Sequence, residues 1–356
     1  MKYVFHIHSS INSIVASAIV EGEGLNAEDV LFLCCRGVGS SFVDVKVVSV
    51  PDEIYNHPFC APRELLSRKF LSAGSAVEFL DRVIEEFCAG DDFTYFVPHS
   101  KNPFYSVICT NRYCKEVHYI EDGVDAYLEW SSLKRRFPVR NHWSRYMVSQ
   151  ILRLIPAVKA NRSKLGGYLY SSIGECASKK YGVTKMSFPG FSNVEIVDGN
   201  ILRNLQEYTI LNSNFVVFDA LVEQKVVSEA QYFAFIDWLA RVLESYEKVS
   251  VKFHPAQKLE LREEVLRRFS CVISEVEIVP DGISMELVLL SNSGLNVFGV
   301  GSSLLKYASL NGKHSVNAYY KYFEDVLGVS TPRTRLWKSI FSNNLDVNIE
   351  LPECRF

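Results

Sequence analysis

The chain has 356 residues, 48% of them hydrophobic, and a net charge of −3. That length allows two ordinary domains with a large core each, and the charge, with a pI near 6.3, argues against nucleic-acid binding, which carries a basic excess. Nine scattered cysteines without zinc-site spacing suit reduced thiols in the cytoplasm.

Residues 1–20 contain a short apolar run broken by His6, His8, Ser9 and Asn12. This is neither a secretory signal nor a membrane span. Residues 2–8 predict a first strand that ends in the polar turn Ser9-Ser10. Asp29–Cys35 and Val43–Val50 are further apolar, β-rich runs. From Ser75 a helix is predicted. Ser75-x-x-Glu78 reads as a capping box, and Ala76, Phe79, Leu80, Val83, Ile84 and Phe87 recur at helical spacing. Asp92–Val97 predicts a strand, Pro103–Thr110 a short helix and Glu116–Ile120 the next strand. Strands alternating with helices point to a parallel sheet with both faces covered.

Glu121-Asp122-Gly123 follows that last strand. Two adjacent acids at a strand end project to opposite sides. One can therefore face a cleft and take a proton from a hydroxyl. The same three residues also suit an Asx-type turn closed by Gly123. Beyond them Lys134-Arg135-Arg136, Arg140 and Arg145 are interleaved with Phe137, Trp143 and Tyr146. The run reads either as a solvated face or as a contact for an anionic acceptor or anionic lipid headgroups. Residues 141–156 predict an amphipathic helix. Lys179–Phe188 closes a first domain over 1–190, and Pro189–Asn193 has the turn chemistry of a linker.

The second half, 191–356, repeats the alternation. Phe215–Ala220 predicts a strand. Ser228-x-x-Gln231 caps a helix running to Tyr246. Val249, Val251 and Phe253 form a strand that stops at His254-Pro255, because Pro255 has no N–H for a ladder. His254 is thus placed at the carboxyl end of a strand, where ligands of open α/β sheets bind. A histidine satisfied under a loop is the other reading. Leu259–Phe269 predicts a helix, Cys271–Val279 a strand, Ser284–Leu290 a helix and Leu295–Val300 a strand. Gly299-Val-Gly-Ser-Ser303 then leads into a helix over Ser302–Leu310. Gly301 allows close backbone approach. Ser302 or Ser303 at a helix start would suit a phosphate, or would be a plain cap. Glu286, on the helix before this loop, is either a ribose ligand or an ordinary helix residue.

Glu121-Asp122-Gly123, His254-Pro255 and Ser302-Ser303 stand in the order of the acid-acid-glycine, His-Pro and paired Ser/Thr motifs of bacterial sialyltransferases. The chain resembles that family in these motifs and their order, not along its whole length. The resemblance implies two Rossmann-like α/β domains facing across a cleft, the GT-B type glycosyltransferase fold. It implies inverting transfer of sialic acid from CMP-sialic acid to a hydroxyl of a glycan acceptor, without cofactor or required metal. Surface polysaccharide or lipooligosaccharide synthesis would be the setting, in the cytoplasm or on the cytosolic face of a membrane. By the same carry-over Asp122 would be the general base. His254 would stabilise or protonate the leaving phosphate, beside Pro255. Gly301, Ser302 and Ser303 would bind that phosphate and Glu286 the ribose. Related expectations are transfer of another CMP-activated acid such as Kdo, or glycerophosphate transfer from CDP-glycerol. A UDP-sugar 2-epimerase and a non-catalytic nucleotide sensor complete the alternatives.

Overall fold

A computed structural model describes residues 1–36, 38, 43–56, 73–98, 103–109, 111–127, 179–198, 201, 212–342 and 346–353. The chain divides into two compact units, Met1–Ile201 and Leu202–Phe356.

The first unit contains β1 (Lys2–Ile7), α1 (Ser10–Gly22), β2 (Val30–Cys34), β3 (Lys46–Ser49), α2 (Asp52–Tyr55) and α3 (Ala73–Cys88). It continues with β4 (Phe93–Val97), α4 (Pro103–Cys109), β5 (Cys114–Ile120), β6 (Lys180–Gly182) and β7 (Val194–Ile196). The sheet order is β3-β2-β1-β4-β5-β6-β7, and every pair is parallel. β2 and β4 are buried along their whole length. Their runs Val-Leu-Phe-Leu-Cys and Phe-Thr-Tyr-Phe-Val therefore serve two covered faces, as a parallel sheet requires. Across the β1–β4 pair Phe5 stacks on Phe96 with ring centroids 4.1 Å apart.

The second unit contains β8 (Asn214–Val217), α5 (Glu229–Val242), β9 (Lys248–Lys252), α6 (Leu259–Ser270), β10 (Glu275–Ile278) and α7 (Met285–Ser291). Then come β11 (Asn296–Gly299), α8 (Ser303–Ser309), β12 (Ser315–Ala318), α9 (Pro332–Phe341) and β13 (Val347–Asn348). The sheet order is β10-β9-β8-β11-β12-β13, again parallel throughout. Counted from its own first strand, each sheet has the order 3-2-1-4-5-6 of a Rossmann fold, and the first adds one more edge strand. Both units are thus Rossmann-like α/β domains, as expected. The order reverses between β1 and β4 in one sheet and between β8 and β11 in the other. Beyond the carboxyl ends at that reversal is where such sheets bind ligands.

Several local expectations differ from the structure. α3 begins at Ala73, so Ser75 lies inside the helix and does not cap it. The second capping box is real: Ser228 Oγ accepts from Gln231 N–H at 3.3 Å, and Ser228 N–H gives to Gln231 Oε1 at 2.9 Å. The first domain does not stop at 190. Val194–Ile196 pairs with β6, so Pro189–Asn193 lies within a strand-to-strand connection of one sheet. Lys180 holds that connection, giving its Nζ–H to Asn193 Oδ1 at 2.9 Å. β12, α9 and β13 were not expected at all. The basic run 134–146 and the helix predicted over 141–156 lie outside the described residues. Among the described residues no helix is long and apolar enough to cross a membrane.

Candidate functional site

In the first unit the carboxyl edge of the sheet brings Asp122 to His8. Asp122 follows β5, and Gly123 turns the chain with φ +80°, a conformation that glycine takes without strain. His8 follows β1. His8 Nε2 lies 2.8 Å from Asp122 Oδ1. The other ring nitrogen, Nδ1, is 3.3 Å from the Tyr105 hydroxyl of α4. That hydroxyl is 3.3 Å from the Tyr55 hydroxyl of α2. Tyr105 is fully buried, and burial holds its hydroxyl protonated well above the ordinary range. Asn12, buried in the first turn of α1, accepts from His8 N–H and gives its amide to the Glu121 carbonyl at 2.6 Å. Two strand ends that are not neighbours in the sheet are thereby tied together.

Glu121 points the other way. It is fully buried. Its carboxylate accepts from Tyr127 O–H at 2.5 Å, Ser187 O–H at 2.7 Å and Val183 N–H at 2.9 Å. A buried carboxylate with three donors is satisfied, and here it fastens the segment after β6 to the end of β5. The adjacent acids do project to opposite sides: one is structural, and the other meets a histidine.

In the second unit β9, β8 and β11 are neighbours, and their carboxyl ends carry His254, Asp219 and Gly301–Ser303. The backbone of His254 is locked. Its N–H gives to Gln257 Oε1 at 3.2 Å. Its carbonyl accepts from Gln257 N–H at 2.9 Å and Arg262 Nη2 at 3.0 Å. The Gln257 amide is in turn held by the buried Tyr232 hydroxyl of α5 at 2.8 Å. His254 Nδ1 accepts from Ala256 N–H at 3.1 Å. In the neutral ring the proton therefore sits on Nε2. Such a ring donates a hydrogen bond, while adding a proton at Nδ1 breaks the bond from Ala256. The geometry suits stabilising an anion better than protonating it. Pro255 shapes this turn, and its carbonyl accepts from Arg262 at 3.2 Å.

Ser302 is buried and caps α8, accepting from Leu304 N–H at 3.3 Å. Its hydroxyl hydrogen can still be donated. Ser303 is half-buried and opens the helix. α8 has only seven residues, so an anion there would be met by the hydroxyls and not by a long helix dipole. Gly301 has a reason within the protein: a Cβ there would overlap the Trp337 indole of α9. Its N–H gives to Asp219 Oδ2 at 3.3 Å, so it serves a carboxylate of the chain itself. Burial pushes the Asp219 carboxyl up to about 6, against the pull of Arg333 and of Gly301 N–H.

Glu286 lies in the first turn of α7, which packs beside α8. It accepts from the Ser284 hydroxyl at 3.1 Å. Burial raises its carboxyl, and Lys252 opposes that. Lys252, the last residue of β9, gives its ammonium to the carbonyls of Pro280 at 2.5 Å, Ile283 at 2.9 Å and Asp281 at 3.2 Å. That clamp fixes the turn from which α7 starts.

Sequence reasoning passed over His8, Asp219 and Lys252. All three stand at or just beyond the end of a strand, the signal that singled out His254. His8 in particular ends an apolar strand before a polar turn, and that pattern was legible.

No family model matches the chain, and no curated protein does. Solved structures resemble it weakly. A sialyltransferase from Photobacterium damsela is 12% identical with a TM-score of 0.49, over 98% of this chain and 81% of that one. The UDP-GlcNAc 2-epimerase from Neisseria meningitidis, bound to UDP-GlcNAc, is 13% identical with a TM-score of 0.45, over 98% and 95%. MurG from Acinetobacter baumannii is 9% identical with a TM-score of 0.39, over 96% and 90%. Likenesses of this degree bear on neither donor nor reaction.

Proposed function

We propose that the protein is an inverting glycosyltransferase that moves sialic acid from CMP-sialic acid to a hydroxyl of a surface glycan. The observation that carries the reading is the position of the three ordered motifs. Each lies just beyond the carboxyl end of an interior Rossmann strand, Ser302-Ser303 at the reversal of strand order and the other two motifs one strand away from it, on the edge where ligands of such sheets bind. The chemistry at the two edges also divides sensibly. Asp122 offers a carboxylate, and the other edge offers the Nε2–H of His254 with the hydroxyls of Ser302 and Ser303.

In the reaction the acceptor oxygen bonds to the anomeric carbon as the bond from that carbon to the CMP phosphate breaks. The electron pair leaves with the phosphate. The hydroxyl proton passes to Asp122, the general base. Charge growing on the phosphate oxygens is met by hydrogen bonds from His254 and the serines, and charge on the oxocarbenium-like carbon is transient. Glu286 would hold the ribose hydroxyls. No step calls for a metal.

The test is a donor screen with excess EDTA present, across CMP-, CDP- and UDP-linked compounds, with calorimetric titration of CMP, UDP and GDP. Transfer from CMP-sialic acid and preference for CMP are expected. Tighter binding of UDP or GDP than of CMP would refute the reading. Turnover of CMP-Kdo or CDP-glycerol in place of CMP-sialic acid would move the assignment to those donors.

A further inference from the structure

The buried chain Tyr55–Tyr105–His8–Asp122 has a direction. Tyr105 is a protonated hydroxyl within a buried cluster, and His8 Nδ1 faces it at 3.3 Å. If Tyr105 O–H gives to Nδ1, the imidazole proton must sit on Nε2. Nε2 is the atom that lies 2.8 Å from Asp122 Oδ1. The Tyr105 oxygen then accepts from the Tyr55 hydroxyl, 3.3 Å away. In that arrangement each group donates to the next, and the series ends on a carboxylate. The two members of the final pair also differ in exposure: the His8 side chain is 6% exposed and that of Asp122 is 14%. Both His8 nitrogens are directed at protein atoms. Asp122 is the member that can meet a substrate hydroxyl.

We propose that His8 is the positioning residue of Asp122, its tautomer set by Tyr105, so that Nε2–H holds the carboxylate in the orientation in which it takes the acceptor proton. This rests on the reading of Asp122 as the base. Asp122 stands on a short turn closed by Gly123. The hydrogen bond comes from a buried ring that lies beside Tyr55 and Tyr105, with centroids 6.3 and 6.4 Å away, and it orients the carboxylate. His6 packs among Tyr55, Phe104 and Tyr105 with centroids 5.7, 5.2 and 4.5 Å away, and its ring lies 5.5 Å from that of His8. Misplacing a reacting group by about 1 Å can cost on the order of 10²-fold in rate.

Two measurements test this. In the first, the native protein labelled with ¹⁵N-histidine is observed by NMR. His8 should show the Nε2–H tautomer, its Nε2 proton should move upfield in Asp122→Asn, and Tyr105→Phe should weaken the tautomer preference. An Nδ1–H tautomer for His8, or an Nε2 proton indifferent to Asp122→Asn, overturns the proposal, and neither result depends on any donor. In the second, transfer kinetics are compared for His8→Ala, His8→Gln, Asp122→Asn and the double variant His8→Ala/Asp122→Asn. His8→Ala should lower kcat by about 10²-fold, with KM for both substrates and CMP affinity within about twofold. His8→Gln, whose amide N–H reaches a place near Nε2, should recover most of the loss. In the Asp122→Asn background His8→Ala should cost less than about threefold, because His8 acts through a carboxylate that is no longer there. An undiminished cost in that background, or a full rate for His8→Ala, overturns the positioning role. A full rate for Asp122→Asn instead removes the base assignment, and with it the mechanism that the positioning serves, even where the NMR pairing stands.

Discussion

Two adjacent carboxylates at the end of β5 have opposite fates, and substitution should separate them. Asp122→Asn keeps size and a hydrogen-bond acceptor but cannot take a proton. Transfer should fall by roughly two to four orders of magnitude, the range of a positioned base, with CMP affinity nearly unchanged. His254→Ala should weaken CMP binding as well as turnover, since its Nε2–H is the phosphate contact in the proposed mechanism. Initial rates and CMP titration on both variants check the division, and an Asp122→Asn protein that binds CMP as poorly as His254→Ala would contradict it. Glu121→Gln is no harmless neighbour control. The carboxylate accepts from Tyr127, Ser187 and Val183, and Gly182 leaves it room, since a Cβ there would overlap Ser187. An amide must turn an N–H toward one of those donors. The expected loss is about 1–3 kcal/mol, the cost of an unsatisfied buried group, read as a lower denaturant midpoint. A midpoint equal to the native one would show that the three bonds contribute nothing.

At the level of the loop and helix, Gly301 and Trp337 form one packing unit. α9 brings the Trp337 indole, 1% exposed, against the backbone at Gly301. Gly301→Ala should therefore destabilise the second unit by about 1–3 kcal/mol, as overpacking does. Pairing it with Trp337→Phe, which withdraws part of the indole, should lose less than the sum of the two single changes. Strictly additive losses in thermal melts would mean that the two positions do not touch. The same pair shows where sequence reading stops. The strand Leu295–Val300, the glycines and the Ser302 cap follow from local pattern, and the cap is present. The partner of Gly301 lies 36 positions on, in a ten-residue helix that buries only Trp337 and Phe341 among its apolar residues, too narrow a stripe to have announced it. β13 is two residues long, too short for period-two alternation to register, and β12, Ser-Val-Asn-Ala, carries a single β-branched residue. Asp122 and His254 were legible because a strand end followed by Gly or Pro is a local signal. The His8–Asp122 pair was not, because it joins β1 to β5 across β4, and only the sheet order makes those ends meet. Ser75 failed as a cap for the opposite reason: the motif is local, but the helix already runs two residues earlier.

Over the whole molecule the pH dependence of stability should carry the mark of Asp219. This carboxyl sits at the reversal of strand order in the second sheet, 5% exposed, and burial lifts it from an ordinary 3.8 to about 6. Below about pH 4 it is protonated whether the unit is folded or not, and its contribution to stability is fully present. As pH rises past 4 the unfolded chain releases the proton, while the folded unit keeps it until about 6. Stability is therefore lost across that window, and once pH is above 6 the folded unit carries a buried carboxylate. A gap of about two pKa steps corresponds to about 3 kcal/mol. Glu286, also raised by burial, acts in the same direction, so total stability alone does not isolate Asp219. The comparison with Asp219→Asn does. Asparagine keeps an oxygen for Gly301 N–H and never ionises. Guanidinium melts of the protein at pH 4 and pH 7 should show the variant gaining about 2 kcal/mol on the native protein between the two, because part of the unfolded carboxyl is already ionised at pH 4. Neighbouring groups limit the size of that gain. Arg333 and Gly301 N–H favour the charged form and already hold the shift below what burial alone would give, and in the variant Arg333 loses its anionic neighbour. If native and variant curves stay parallel from pH 4 to pH 7, the carboxyl is not held neutral by burial, and Asp219 must be ionised at the strand reversal, beside the loop proposed to receive a phosphate.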